Sequence, residues 1–160
     1  MRQKIEEECQ ACDLHQDYRM RISLSKSGKI EINRQVLTPL SSIFCKAKLC
    51  LQGADLQQAF TYFKTTHRPH LTMGNQEISY HTVDGKLLET SIGNLVLKMD
   101  GKLYTPPSQL GLLPGIYRQH LLENGQVEEK VLTIEDLAQA EAIYGCNAVR
   151  GLYELSVKEH

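Results

Sequence analysis

Residues 77–105 read EISYHTVDGKLLETSIGNLVLKMDGKLYT, and this stretch decides the fold class. Asp84-Gly85 and Asp100-Gly101 each sit between two strand-like runs: 77–83 and 86–90 around the first, 94–99 and 102–105 around the second. Asp-Gly is a strong hairpin signal, because both residues tolerate the left-handed backbone that tight turns need. Two such turns so close together predict an antiparallel meander in the middle of the chain.

Working outward toward the N-terminus, residues 43–51 form a strand-like run, and Asp55 with Gln58 three positions on predicts a capped helix over 55–63. The stretch 67–75, with Pro69 and Gly74, reads as irregular. Residues 18–25 alternate strictly, with Tyr18, Met20, Ile22 and Leu24 on one face, and 29–33 alternate again after Ser27-Gly28, which predicts a hairpin. Residues 1–12 suit a helix with a narrow apolar stripe of Ile5, Cys9 and Cys12.

Toward the C-terminus, Pro114 suits the first turn of a helix running to about Glu123, where Asn124-Gly125 stops it. Residues 127–132 alternate as a strand. Thr133 with Asp136 has the form of a capping box opening a short helix to about Ala140. Strands at 142–146 and 152–157 close the chain. The mixture predicts an α+β fold, a mostly antiparallel sheet with short helices, as one unit over residues 1–160.

The composition agrees. The chain has 160 residues, 41% apolar and 23% charged, enough to bury roughly two thirds of its unfolded surface. Lys and Arg number 18 against 19 Asp and Glu, a net charge of -1, which argues against an electrostatic nucleic-acid binder and against an anionic membrane partner. No apolar run approaches the ~18 residues that would span a bilayer. The charged start, MRQKIEEECQACD, lacks the apolar core of a signal peptide, so a cytoplasmic protein is the expectation. Five cysteines, an odd number, favour reduced thiols over a disulfide framework. One Cys9-Gln-Ala-Cys12 pair near His15 falls short of the matched ligand pairs of a structural zinc site, so packing is the expectation there and no metal is assigned.

Four short segments carry chemistry. They are Lys64-Thr-Thr-His-Arg68, then Leu88-Glu-Thr-Ser-Ile-Gly-Asn94, then Leu103-Tyr-Thr-Pro-Pro107 with Gly111-Leu-Leu-Pro-Gly-Ile-Tyr-Arg-Gln119, and Asn147-Ala-Val-Arg-Gly151. In this order and spacing they resemble the fold-type IV pyridoxal-phosphate enzymes, the class IV aminotransferase family, with the nearest likeness to its aminodeoxychorismate lyases. The likeness runs from about Tyr18 to the C-terminus and implies the C-terminal part of the fold-type IV architecture. It also implies pyridoxal 5'-phosphate as cofactor, a small-molecule amino substrate and a homodimer with sites near the subunit interface.

The resemblance assigns Lys64 as the lysine whose amine condenses with the cofactor's aldehyde. That amine needs partial desolvation, for which Phe60, Tyr62 and Phe63 offer an apolar wall. The resemblance likewise makes Glu89 the candidate for the acid that faces the pyridine nitrogen and keeps it protonated, so that the ring accepts electron density. A buried glutamate after two leucines needs a cationic partner in any case; as an ordinary strand residue it would pair with Lys86 or Lys98. Phosphate binding falls on the helix start at Ile116 and Tyr117, where Gly115 permits close backbone approach, and on Asn147 and Ala148. Arg68 and Arg150 are candidate contacts to substrate or phosphate, and Arg118 reads as a surface helix residue. Tyr62 and Tyr117 read as packing or wall residues. Relatives usually begin with a further α/β segment that carries a phosphate-anchoring arginine; no residue here matches it, and a truncated lyase, a minimal enzyme or a non-catalytic remnant all fit that expectation. The reaction implied is release of pyruvate from aminodeoxychorismate to give 4-aminobenzoate for folate synthesis, with amino acid transamination the nearest alternative.

Overall fold

The computed structural model describes residues 2–38, 46–52, 59–68, 71 and 77–158. The chain divides into two compact units, 1–43 and 44–160, each taken by itself below.

In the first unit, helix α1 (Arg2–Gln10) precedes a hairpin of β1 (Tyr18–Leu24) and β2 (Ile30–Val36). The two strands pair antiparallel from Tyr18 opposite Val36 to Leu24 opposite Ile30. Arg34 ties the hairpin to the helix: its Nη1 donates to the Glu8 carbonyl at 2.6 Å, and its guanidinium lies over the Tyr18 ring at 5.6 Å. The expected apolar face holds for Tyr18 and Met20 but not beyond, since Ile22 and Leu24 are exposed. Among the described residues no three His, Cys, Asp or Glu side chains come together as a metal site.

The second unit contains β3 (Lys46–Leu51), α2 (Ala59–Tyr62), β4 (Glu77–His81), β5 (Leu87–Thr90), β6 (Asn94–Met99), β7 (Lys102–Thr105), α3 (Ile116–Glu123), β8 (Glu128–Glu129), α4 (Ile134–Gln139), β9 (Ala142–Asn147) and β10 (Gly151–Lys158). The strands run in the order β5-β4-β3-β10-β9-β6-β7-β8, and β5 also pairs with β6. That extra pairing closes β5, β4, β3, β10, β9 and β6 into a ring, which removes the open edge at β5, while β7 and β8 extend from β6 outside the ring. Most pairs are antiparallel, and the fold is α+β. The parallel pairs are β3 with β4, β3 with β10, and β7 with β8.

Both Asp-Gly hairpins form, by different turns. Asp100 and Gly101 take φ of 50° and 73°, the paired left-handed conformations of a two-residue turn. Only Gly85 is left-handed at the other, where Gly85 N–H donates to the Thr82 carbonyl and Thr82 N–H to the Lys86 carbonyl, a three-residue loop. The Thr82 hydroxyl oxygen also accepts from Lys86 N–H at 2.9 Å.

Leu87, Leu95 and Leu97 pack with Leu49 and Ile143 from the facing strands, and Leu132, Ile134 and Leu137 join the same cluster. Val96 and Cys146, on the opposite strand face, pack under Leu121 and Tyr117 of α3. The expected strand over 127–132 shrinks to Glu128–Glu129, because Val127 is drawn into the α3 cluster and Leu132 into the other. Helix α3 begins at Ile116 with Gly115 as N-cap, so Pro114 precedes the helix rather than opening it. Thr133 and Asp136 form the expected capping box. The helix expected over 55–63 is described only as the single turn Ala59–Tyr62, and its Asp55 cap lies outside the described residues.

Candidate cofactor site

A β-bulge places the acid. Ser79 faces Thr90 and His81 faces Leu87, so Tyr80 alone on β4 opposes both Leu88 and Glu89 on β5. An extra residue of this kind re-aims side chains, and such bulges recur beside active sites. Leu88 packs with Leu71 and Tyr80, whereas Glu89 is 2% exposed and meets polar partners.

Glu89 Oε1 accepts from Arg68 Nη2 at 3.0 Å and from Leu113 N–H at 3.3 Å. Burial pushes the Glu89 carboxyl above its usual range; the Arg68 charge, the Leu113 and Arg68 hydrogen bonds and the Lys64 charge pull it back. Burial and the nearby cations thus pull this carboxyl in opposite directions, with burial the stronger, a pattern that recurs at functional sites. Lys86 and Lys98, the alternative partners, are engaged elsewhere, with Asp84 at 2.7 Å and with Glu141 at 3.3 Å.

Lys64 and Arg68 lie in the segment after α2. Lys64 is exposed, as is Phe63 beside it, so within the described residues the apolar wall expected around Lys64 does not form. Its charge nonetheless reaches Glu89.

The loop that receives Glu89 leads directly into α3. Gly115 caps the helix without any side-chain hydrogen bond, so the first N–H groups of α3, at Ile116 and Tyr117, have no side-chain cap. Ile116 is 81% exposed, and the Tyr117 hydroxyl lies 3.2 Å from where a Cβ on Gly151 would stand. Gly151 follows the β9–β10 turn, whose form Asn147 sets: its Oδ1 accepts from Val149 and Arg150 N–H, both at 3.0 Å. The start of α3, through Tyr117, and the β9–β10 turn with Asn147, Ala148 and Arg150, through Gly151, are therefore close together, and Ala148 is exposed.

Sequence reasoning missed one residue of the site and misplaced a structural one beside it. Asn94 Nδ2 donates to the Leu113 carbonyl at 2.7 Å from a fully strand-bound position. Arg118 is 2% exposed rather than a surface residue, and its Nη2 donates to the Pro106 carbonyl at 2.8 Å and to Glu129. Its position three residues before Leu121, on the buried face of α3, was the available signal.

Comparison with known proteins gives the family. Residues 1–156 match the amino-transferase class IV family, and the chain belongs to it. An uncharacterized protein of Haemophilus influenzae Rd is 38% identical over 69 residues, a match covering 43% of this chain and 36% of that relative's length. A proposed amino-acid aminotransferase from Mesorhizobium loti superposes with a TM-score of 0.81 at 28% identity, over 100% of this chain and 82% of that one. A proposed 4-amino-4-deoxychorismate lyase from Haemophilus somnus 129pt does so with a TM-score of 0.70 at 25% identity, over 93% and 76%. A proposed branched-chain amino acid aminotransferase from Thermotoga maritima shares the fold, with a TM-score of 0.83 at 20% identity over 99% and 62%.

Proposed function

We propose that this chain holds pyridoxal 5'-phosphate and releases pyruvate from 4-amino-4-deoxychorismate, leaving 4-aminobenzoate for folate synthesis. The observation that carries the reading is the buried, cation-balanced carboxylate of Glu89, hydrogen-bonded to the loop that opens α3. The residues fit the group: an acid for the ring nitrogen and a helix start with uncapped N–H groups stand in one connected segment.

When bound, the cofactor supplies an electrophilic aldehyde and a ring that takes up electron density. Lys64 Nζ would be the amine that holds that aldehyde and, as a free amine, would carry a proton to and from the reacting carbon. Glu89 keeps the ring nitrogen charged, and Arg68 holds Glu89 in place. Ile116 and Tyr117 N–H, with Asn147 and Ala148, would receive the phosphate, and Arg150 in the same turn would offer a cation to an anionic group. A homodimer belongs to the reading, since exposed Phe63 beside Lys64 and exposed Ile116 give a second copy apolar surface to cover and so dry the Lys64 amine.

Transamination of an amino acid is the second reading, favoured by the likeness to the Mesorhizobium loti aminotransferase. The test is a titration with pyridoxal phosphate followed in the visible spectrum, then incubation with 4-amino-4-deoxychorismate or with an amino acid and a 2-oxo acid. Formation of 4-aminobenzoate supports the first reading and amino transfer alone the second. No visible band on titration leaves a non-catalytic family member.

A further inference from the structure

Asn94 stands opposite Glu89 in the β5–β6 pair and opposite Cys146 in the β6–β9 pair. Its side chain is buried and faces the loop that enters α3. Asn94 Nδ2 donates to the Leu113 carbonyl at 2.7 Å, while Leu113 N–H donates to Glu89 at 3.3 Å. Two facing strand residues thus grip both backbone polar groups of one loop residue. Gly115 N–H donates to the same Leu113 carbonyl at 2.8 Å.

Gly115 completes the arrangement. Its φ of -65° and ψ of 140° are open to any residue, so its backbone does not require glycine. A Cβ there would stand 2.1 Å from Asn94 Oδ1 and 3.3 Å from Asn94 Cγ, with Arg118 Cβ next at 3.9 Å. Among the described residues, the Asn94 amide is what a side chain at position 115 would collide with.

We infer that Asn94 is a positioning residue that locks the start of α3 to the Glu89 carboxylate, with Gly115 as its matched partner. The acid for the ring nitrogen and the helix start for the phosphate then keep one spacing. This functional sense rests on the proposed cofactor reading, whereas the lock itself is a property of the chain.

The test is a double-mutant cycle of Asn94→Ala, Gly115→Ala and the pair together. Three readouts apply: urea stability, pyridoxal phosphate affinity by absorbance, and titration of the Glu89 carboxyl by carbon NMR without cofactor. Gly115→Ala alone should weaken cofactor binding about tenfold or more, and in the Asn94→Ala background it should add less than about twofold, because the colliding atoms are gone. Asn94→Ala should itself weaken binding about tenfold and move the Glu89 titration upward, since the Leu113 N–H is no longer held against the carboxylate. Additive effects, or an Asn94→Ala protein that loses stability while cofactor affinity and Glu89 titration stay put, overturn the inference. If wild-type protein binds no pyridoxal phosphate, the proposed function fails, and the stability cycle and Glu89 titration still decide the lock. Should Asn94→Ala not fold, Gly115→Ala decides alone: an unmoved Glu89 titration overturns it.

Discussion

Arg68 Nη2 lies 3.0 Å from Glu89 Oε1, with the guanidinium side chain 16% exposed and the carboxylate side chain 2% exposed. This pair joins the segment that carries Lys64 to the bulged strand β5. Removing one member of a buried pair strands the other charge, at a cost of about 3–5 kcal/mol. Arg68→Met should therefore lose about that much in urea unfolding, and Glu89→Gln added to it should recover a large part. Equal losses in Arg68→Met and the double variant would mean that the guanidinium acts through packing alone.

Glu77 should govern the acid limb of stability. It accepts hydrogen bonds from the Thr90 hydroxyl and, at 3.0 Å, from the Tyr153 hydroxyl, so it links β4, β5 and β10. The close approach of Tyr153 depends on Gly145, where a Cβ would stand 2.5 Å from the Tyr153 ring. Burial raises the Glu77 carboxyl above its ordinary 4.5, against the lowering by both hydroxyls. The folded state then holds the proton more tightly than the unfolded one, so the contribution is full below about 4.5 and is lost as pH rises through the folded value. Glu77→Gln should flatten that decline in a melting-temperature series against pH. A wild-type curve that rises over the same range with Glu77 intact, and is unchanged by the substitution, would contradict this.

Thiol chemistry should separate two cysteines. Cys146 is fully buried beneath α3, and burial pushes its thiol up to about 11, while Cys9 is exposed in α1. Native protein treated with iodoacetamide at pH 8 should be modified at Cys9 and spared at Cys146, which should react only on unfolding. Native-rate labelling of Cys146, read by peptide mass, would show that α3 opens readily.

Arg118 should prove structural. Its guanidinium holds the Pro106 carbonyl and Glu129, fastening α3 to the end of β7 and to β8. Arg118→Met should cost about 2–3 kcal/mol in urea unfolding, because the buried carbonyl loses its donor. A loss below 0.5 kcal/mol, the range of ordinary surface substitutions, would return Arg118 to the surface role read from the sequence.

What the sequence made legible follows the range of the interactions involved. The Asp-Gly hairpins, the Thr133 capping box and the stop at Asn124-Gly125 depend on residues a few positions apart, and all three appear as read. Closure of the ring depends on β3 pairing with β10 and on the single contact of Glu89 with Asn94, which no local pattern encodes. The four motif segments flagged the site, but not its wiring. A buried glutamate after two leucines called for a cation; only the tertiary fold selects Arg68 over Lys86 and Lys98. The bulge that turns Leu88 and Glu89 toward different surroundings is likewise a matter of register and leaves no mark in the alternation of residues.

The central claim is that Lys64 carries the cofactor, and the most direct measurement is to reduce a pyridoxal phosphate-treated sample with borohydride, digest it and locate the pyridoxyl group by mass. Lys64 is exposed, so Lys64→Ala should fold with stability within about 0.5 kcal/mol of wild type and serve as a clean control. The account predicts one labelled peptide, containing Lys64, and none in the Lys64→Ala protein. A label on another lysine, or no label in wild-type protein, would contradict it.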